Sequence, residues 1–188
     1  MLKAMEEKRI KYPIGIQTFG EIVEGGYLYI DKTGFVHDLA ETYKYVFLSR
    51  PRRFGKSLLS STFHCYFEGR KELFEGLKAG ELKKEWKRHP VFHFDMSTAK
   101  HVNEEQLLRQ LDYKLTEYET IYGKNQSIDK IDVNARLEFL VKEAFAQTGE
   151  QAVLIIDEYD APLLDVMNDK VRLPSLRQIM RNFYSPIK

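Results

Sequence analysis

Two short segments carry side chains whose types and order suit phosphate chemistry. The first is Arg50-Pro51-Arg52-Arg53-Phe54-Gly55-Lys56-Ser57. A glycine lets the backbone curl around an anion, the N–H groups of a helix start point at phosphate oxygens, and the helix dipole favours negative charge there. In such a loop Lys56 reaches the β- and γ-phosphates, and Ser57 offers its hydroxyl to Mg²⁺. The residues expected to touch a nucleotide are Arg52, Arg53, Phe54, Gly55, Lys56, Ser57 and Leu58. The usual order G-x-x-x-x-G-K-[ST] begins with glycine, whereas here Arg50 holds that place, so the match is incomplete. Three uses of Arg50, Arg52 and Arg53 fit their chemistry: a solvated basic turn, a contact to nucleic acid, or a grip on a triphosphate.

The second segment is Ala152-Val153-Leu154-Ile155-Ile156-Asp157-Glu158. A carboxylate at the C-terminal edge of a buried parallel strand lies where α/β sheets bind ligands. Asp157 is placed to hold Mg²⁺ together with Ser57, and Glu158 to polarise an attacking water; Lys56 and Glu158 are the expected catalytic pair. The plainer reading is a strand that ends in polar residues. Both segments in one chain are far more specific than either alone. Adjacent Asp and Glu point to phosphate-loop proteins with a catalytic glutamate, and the lack of an Asn-Lys-x-Asp signature favours ATP over GTP.

Positioning these residues requires strands that alternate with helices. Tyr45, Val46, Phe47 and Leu48 form a continuous apolar run, as expected of a strand buried on both faces. A helix is predicted to start near Lys56, with Leu59, Phe63, Tyr66 and Phe67 on its apolar face and Gly69 at its end. Tyr27-Leu28-Tyr29-Ile30 is β-like, its tyrosines suited to packing or to stacking on adenine. Asp31 or Thr33 is suited to cap a helix whose apolar positions Phe35, Val36, Leu39, Ala40 and Tyr43 follow the 3.6 period. Val91-Phe92-His93-Phe94 reads as a second buried strand. Asn103 caps a helix carrying Leu107, Leu108, Leu111, Leu115 and Tyr118 on one side. Residues 135–147 form another helix, with Leu137, Val141, Ala144 and Phe145 inward and Gly149 after it. Pro174 opens a last helix, which Pro186 ends. The pattern implies an α/β fold, a three-layer α/β/α phosphate-loop NTPase with a mostly parallel sheet. Residues 1–26 read as an N-terminal extension and 27–188 as the domain.

Tyr29-Ile30-Asp31-Lys32-Thr33, the Arg50 to Ser57 loop and Ile156-Asp157-Glu158-Tyr159-Asp160-Ala161-Pro162-Leu163 together resemble the bacterial AAA-ATPase-like family, from about Ile14 to the end of the chain. Within that resemblance, arginine at position 50 is the norm. It implies that Arg52, Arg53, Gly55, Lys56 and Ser57 hold phosphate and Mg²⁺, and that Asp157 and Glu158 serve Mg²⁺ and water. It also implies a fused restriction-endonuclease-like nuclease or other effector, and no such nuclease core is legible here. Phosphate-loop ATPases with a catalytic glutamate order their sheet 5-1-4-3-2, and no strand pattern follows Pro186. Strands 4 and 5, the γ-phosphate sensor and an arginine finger are therefore expected to be missing. The domain is expected to be incomplete at its C-terminus, with exposed strand edges that promote self-association.

Composition narrows the alternatives. A net charge of +1 gives no overall field toward nucleic acid or membrane. No apolar stretch is long enough to span a bilayer, and the charged N-terminus lacks a secretory pattern, so a cytoplasmic location is expected. Cys65 and the five histidines show no metal-ligand spacing. Three functions follow: a Mg²⁺-dependent ATPase that switches an attached effector, a nucleotide-binding interaction module without turnover, or a nucleic-acid binder that uses the arginine loop.

Overall fold

The computed structural model describes residues 10–49, 51, 54–97 and 103–187. The chain divides into two compact units between Lys87 and Arg88.

The first unit is helical: α1 (Phe19–Glu24), α2 (Thr33–Thr42), α3 (Lys56–Phe67) and α4 (Lys78–Leu82), with a 3-10 turn at Lys71–Phe74. Phe19, Val36, Cys65, Tyr66, Leu73, Phe74 and Ala79 form its core. Two side chains from Asp31-Lys32-Thr33 begin two helices. Asp31 accepts hydrogen bonds from the Thr33 N–H (2.8 Å) and hydroxyl (2.7 Å), and its other oxygen accepts from the Lys78 N–H (2.7 Å). The Thr33 hydroxyl oxygen accepts from the Ala79 N–H at 2.9 Å. These bonds satisfy donors that helix starts leave without an internal partner. Burial pushes the Asp31 carboxyl up, but the Thr33 and Lys78 donors outweigh it and hold the group below its ordinary value.

Several expectations for this unit need correction. Residues 45–48 are not a strand: Tyr45, Val46 and Phe47 are exposed by 59%, 47% and 73%. Apolar content alone does not make a strand, because the backbone needs a ladder partner and no described strand pairs with this run. The run at Tyr27 makes only an isolated parallel bridge, Lys11 to Tyr27. On α2, Val36 is buried but Phe35 is exposed, as is Tyr43 just past the helix end.

The second unit is built as β1 (Val91–Asp95), α5 (Glu104–Tyr122), α6 (Val133–Thr148), β2 (Val153–Asp157), α7 (Ala161–Leu164) and α8 (Arg172–Phe183). Side-chain caps start both long helices: Asn103 accepts from the Gln106 N–H and Asp132 from the Ala135 N–H. Gly149, at φ 72°, ends α6 in a left-handed turn that glycine adopts without steric cost. The strands pair in parallel, Val91 opposite Val153 through Asp95 opposite Asp157, as strands joined through helices do. The fold is therefore α/β, with a small parallel sheet.

Phe92, Phe94, Leu154 and Ile156 pack against Leu107, Leu111 and Leu115 of α5, Leu137 of α6 and Leu176 of α8. Arg136 of α6, only 3% exposed, bonds to Glu119 (2.7 Å), Asp112 (2.8 Å) and the Lys130 carbonyl (2.8 Å), locking α6 to α5. Phe145 was expected inward and is 53% exposed. Pro174 is the third residue of α8, not its opening, still within the first turn where a missing N–H is tolerated. The aliphatic residues of β2 are half-buried, not buried, because β1 is the sheet's other strand.

Candidate functional site

Gly55 precedes α3 in a left-handed conformation, φ 72° and ψ 26°. A Cβ placed there would meet no atom within 4 Å, so the backbone angle, not crowding, calls for glycine. The Gly55 carbonyl accepts the Leu59 N–H at 3.0 Å, so the helix is regular from its start. The N-cap residue, Gly55, brings no side-chain cap of its own, and Lys56, Ser57 and Leu58 occupy the first turn, each half-buried. Leu58 packs on the core of the first unit, and its carbonyl accepts the Thr62 hydroxyl at 2.8 Å, which anchors the turn from below. Twelve helical residues thus direct backbone donors and a dipole toward the loop. Phe54 is 63% exposed. Arg50, Arg52 and Arg53 lie outside the described residues.

The acidic strand end belongs to the second unit. Asp157 is the last residue of β2 and is 7% exposed. Its main-chain carbonyl accepts the Met96 N–H (3.0 Å), and its carboxylate accepts the Glu158 N–H (3.0 Å). Among the described residues Glu158 alone has positive φ without being glycine, at 49°. A β-carbon makes that conformation costly, and such residues cluster at functional sites. The turn is closed when the Ala161 N–H donates to the Glu158 carbonyl at 2.9 Å. Two consecutive carboxylates thus leave the strand on different headings, one buried and one turned by the bend.

A third carboxylate arrives at the same sheet end. Register places Asp95 opposite Asp157. Asp95 accepts from the Ser97 N–H (2.8 Å) and hydroxyl (2.7 Å), which turns the chain out of β1. The sequence reading passed over Asp95. The available signal was a repeated pattern, since Val91-Phe92-His93-Phe94-Asp95 ends in an acid as Val153-Leu154-Ile155-Ile156-Asp157 does.

Taken singly, the Ser57 hydroxyl of the first unit and the Asp157 carboxylate of the second are oxygen groups of the kind Mg²⁺ takes. A helix start with glycine as its N-cap and a lysine in its first turn suits phosphate. No described helix is long and apolar enough to cross a membrane.

Comparison with known proteins adds the relationship. Residues 13–188 match the protein family described as Predicted AAA-ATPase. The chain is 40% identical over 183 residues to an uncharacterized protein in the vnfD 5′ region of Azotobacter chroococcum mcd 1. That alignment covers 96% of this chain and 35% of the relative, so the chain spans about a third of the relative's length. No solved structure matches the chain.

Proposed function

This chain belongs to the predicted AAA-ATPase family, and from that premise we propose that it is an ATP-binding phosphate-loop domain whose Mg²⁺-dependent hydrolysis switches an attached effector. The observation that carries the reading is the start of α3: a left-handed Gly55 as its N-cap, then Lys56 and Ser57 in the first turn. Such an N-terminus is an anion site by construction. The strand end at Asp157 and Glu158 supports it by adding a buried carboxylate and a second one on a bend.

The roles follow from chemistry. Backbone donors of the α3 first turn and the Lys56 ammonium bind the phosphates, with Arg52 and Arg53 gripping them from the loop. In this reading Ser57 and Asp157 would be the Mg²⁺ ligands, and the ion would neutralise charge on the phosphate oxygens. Glu158 orients a water and takes its proton as that water attacks the terminal phosphorus; the bond from that phosphorus to the bridging oxygen breaks, releasing ADP and phosphate. The sheet belongs to a three-layer α/β/α arrangement in this reading. An effector outside residues 1–188, a nuclease domain among the candidates, receives the switch.

The test is titration with ATP in the presence and absence of Mg²⁺, followed by a turnover assay. Saturable binding with turnover supports the proposal. Binding that persists without turnover leaves a nucleotide-controlled interaction module. Absence of binding, with a salt-dependent shift of DNA that ignores nucleotide, would instead assign the arginine loop to nucleic acid.

A further inference from the structure

From Asp157 to Asp160 the chain leaves β2 and bends into α7, and every carbonyl along the way is held. The Asp157 carbonyl accepts the Met96 N–H at 3.0 Å, and the Glu158 carbonyl accepts the Ala161 N–H at 2.9 Å. The Asp160 carbonyl accepts the Leu163 and Leu164 N–H groups, each at 3.0 Å. Between them, the Tyr159 carbonyl accepts the Tyr184 hydroxyl at 3.4 Å. The bonds at Glu158 and Asp160 are local, each closing a single turn. The bond at Tyr159 comes from a side chain 25 residues later, at the C-terminal end of α8.

Tyr184 is itself well anchored. It packs against the core of the second unit, its ring 5.5 Å from that of Phe183, which meets Phe94 of β1 edge to face at 5.2 Å. The next residue, Ser185, donates to the Asn182 carbonyl at 2.8 Å and lies 3.4 Å from the Asn134 side chain of α6. Burial pushes the Tyr184 phenol up, and the Asp160 carboxylate pushes it further, so the hydroxyl keeps its proton and remains a donor. A left-handed residue with a β-carbon persists only where its surroundings over-determine it. Glu158 meets that condition because it lies between two fixed points. The sheet holds the Asp157 carbonyl before it, and Tyr184 holds the Tyr159 carbonyl after it.

We propose that Tyr184 is a positioning residue for Glu158: its hydroxyl pins the Tyr159 carbonyl to the end of α8 and so keeps the bend that aims Glu158 at water. The catalytic consequence rests on the ATPase reading above, whereas the hold on the bend is a property of the second unit alone.

The experiment compares the full-length polypeptide encoded by the gene with its Tyr184→Phe form, each with and without Glu158→Gln. Phenylalanine keeps the packed ring and removes only the hydroxyl. Turnover number should fall by about 10–100-fold with the KM for ATP unchanged, the mark of a misplaced group and not of lost binding. In the Glu158→Gln protein the same change should cost nothing further, because a residue that acts through Glu158 has no base left to aim. Amide hydrogen exchange reads the bend without ATP. The Glu158 and Ala161 amides should exchange at least about threefold faster in Tyr184→Phe, while the Met96 amide on the strand side keeps its rate. Unchanged turnover would overturn the positioning role, as would an equal loss in the Glu158→Gln background. A wild-type protein without turnover overturns the ATPase reading instead. Faster exchange at Glu158 and Ala161 would then still support the hold of Tyr184 on the bend, and unchanged exchange would overturn it.

Discussion

Glu158 is where backbone and chemistry meet. A side chain held at φ 49° stores energy that glycine would not, on the order of 1–3 kcal/mol. Two substitutions therefore separate the residue's two contributions. Glu158→Gln keeps the bend and removes the proposed base, so in the proposed ATPase turnover should fall by about 10²–10⁴ with ATP affinity retained. Glu158→Gly removes both the proposed base and the strain. It should abolish turnover while keeping or raising the melting temperature, and a clear drop in Tm would show that the turn is not strained. Lys56→Ala should act on binding instead, weakening ATP affinity by about 1.5–3 kcal/mol through the loss of a charge-assisted hydrogen bond, as read by calorimetric titration.

At the scale of elements, the polar side chains that join helices are the sensitive points. Asp31 and Thr33 together cap α2 and α4. Asp31→Ala should cost about 1–2 kcal/mol in a urea melt, the usual magnitude for a lost cap. Arg136→Met should cost about 3–5 kcal/mol, because it leaves Glu119 as a buried carboxylate without its cation. The same cluster sets an acid limb. Burial pushes the Asp112 carboxyl up, but Lys130 and Arg136 outweigh it and hold the group below its ordinary value of 3.8. A depressed carboxyl contributes stability that is fully present above pH 3.8 and is lost as pH falls through its lower folded value. Acid titration by circular dichroism should therefore show wild-type protein losing part of its stability below that pH, with a weaker dependence in the Arg136→Met protein. Equal acid limbs would remove the cluster from the pH response.

For the whole molecule, division into two compact units has a consequence for unfolding. The chain has one tryptophan, Trp86, which packs on Phe74 and Tyr66 within the core of the first unit. Its fluorescence reports that unit, whereas helical circular dichroism weighs both. Denaturant curves from the two probes should not coincide, since coincidence is the mark of all-or-none unfolding. Superimposed curves would show that the units unfold as one.

The sequence by itself determined the parts of this protein that depend on local rules. Asn103 as a helix cap, Gly149 as a helix end and the turn at Gly55 are readable because each rests on the geometry of a few adjacent residues. Val91-Phe92-His93-Phe94 and Val153-Leu154-Ile155-Ile156 were legible as two strands of a mostly parallel sheet, while their pairing with each other came from the structure. Tertiary structure decided the rest. Tyr45, Val46, Phe47 and Leu48 read as a buried strand but are not one here, because a strand exists only with a partner and hydrophobicity does not name one. Phe35 and Phe145 fit helical periodicity yet face outward, since the period selects a stripe and the neighbours select which part of it is covered. The pairing of Asp95 with Asp157, the hydrogen bond from Tyr184 to the Tyr159 carbonyl and the left-handed Glu158 were also invisible. Each depends on register, on a side chain 25 residues away in the chain, or on a backbone angle that the residue type disfavours. No local pattern encodes such relations between distant segments.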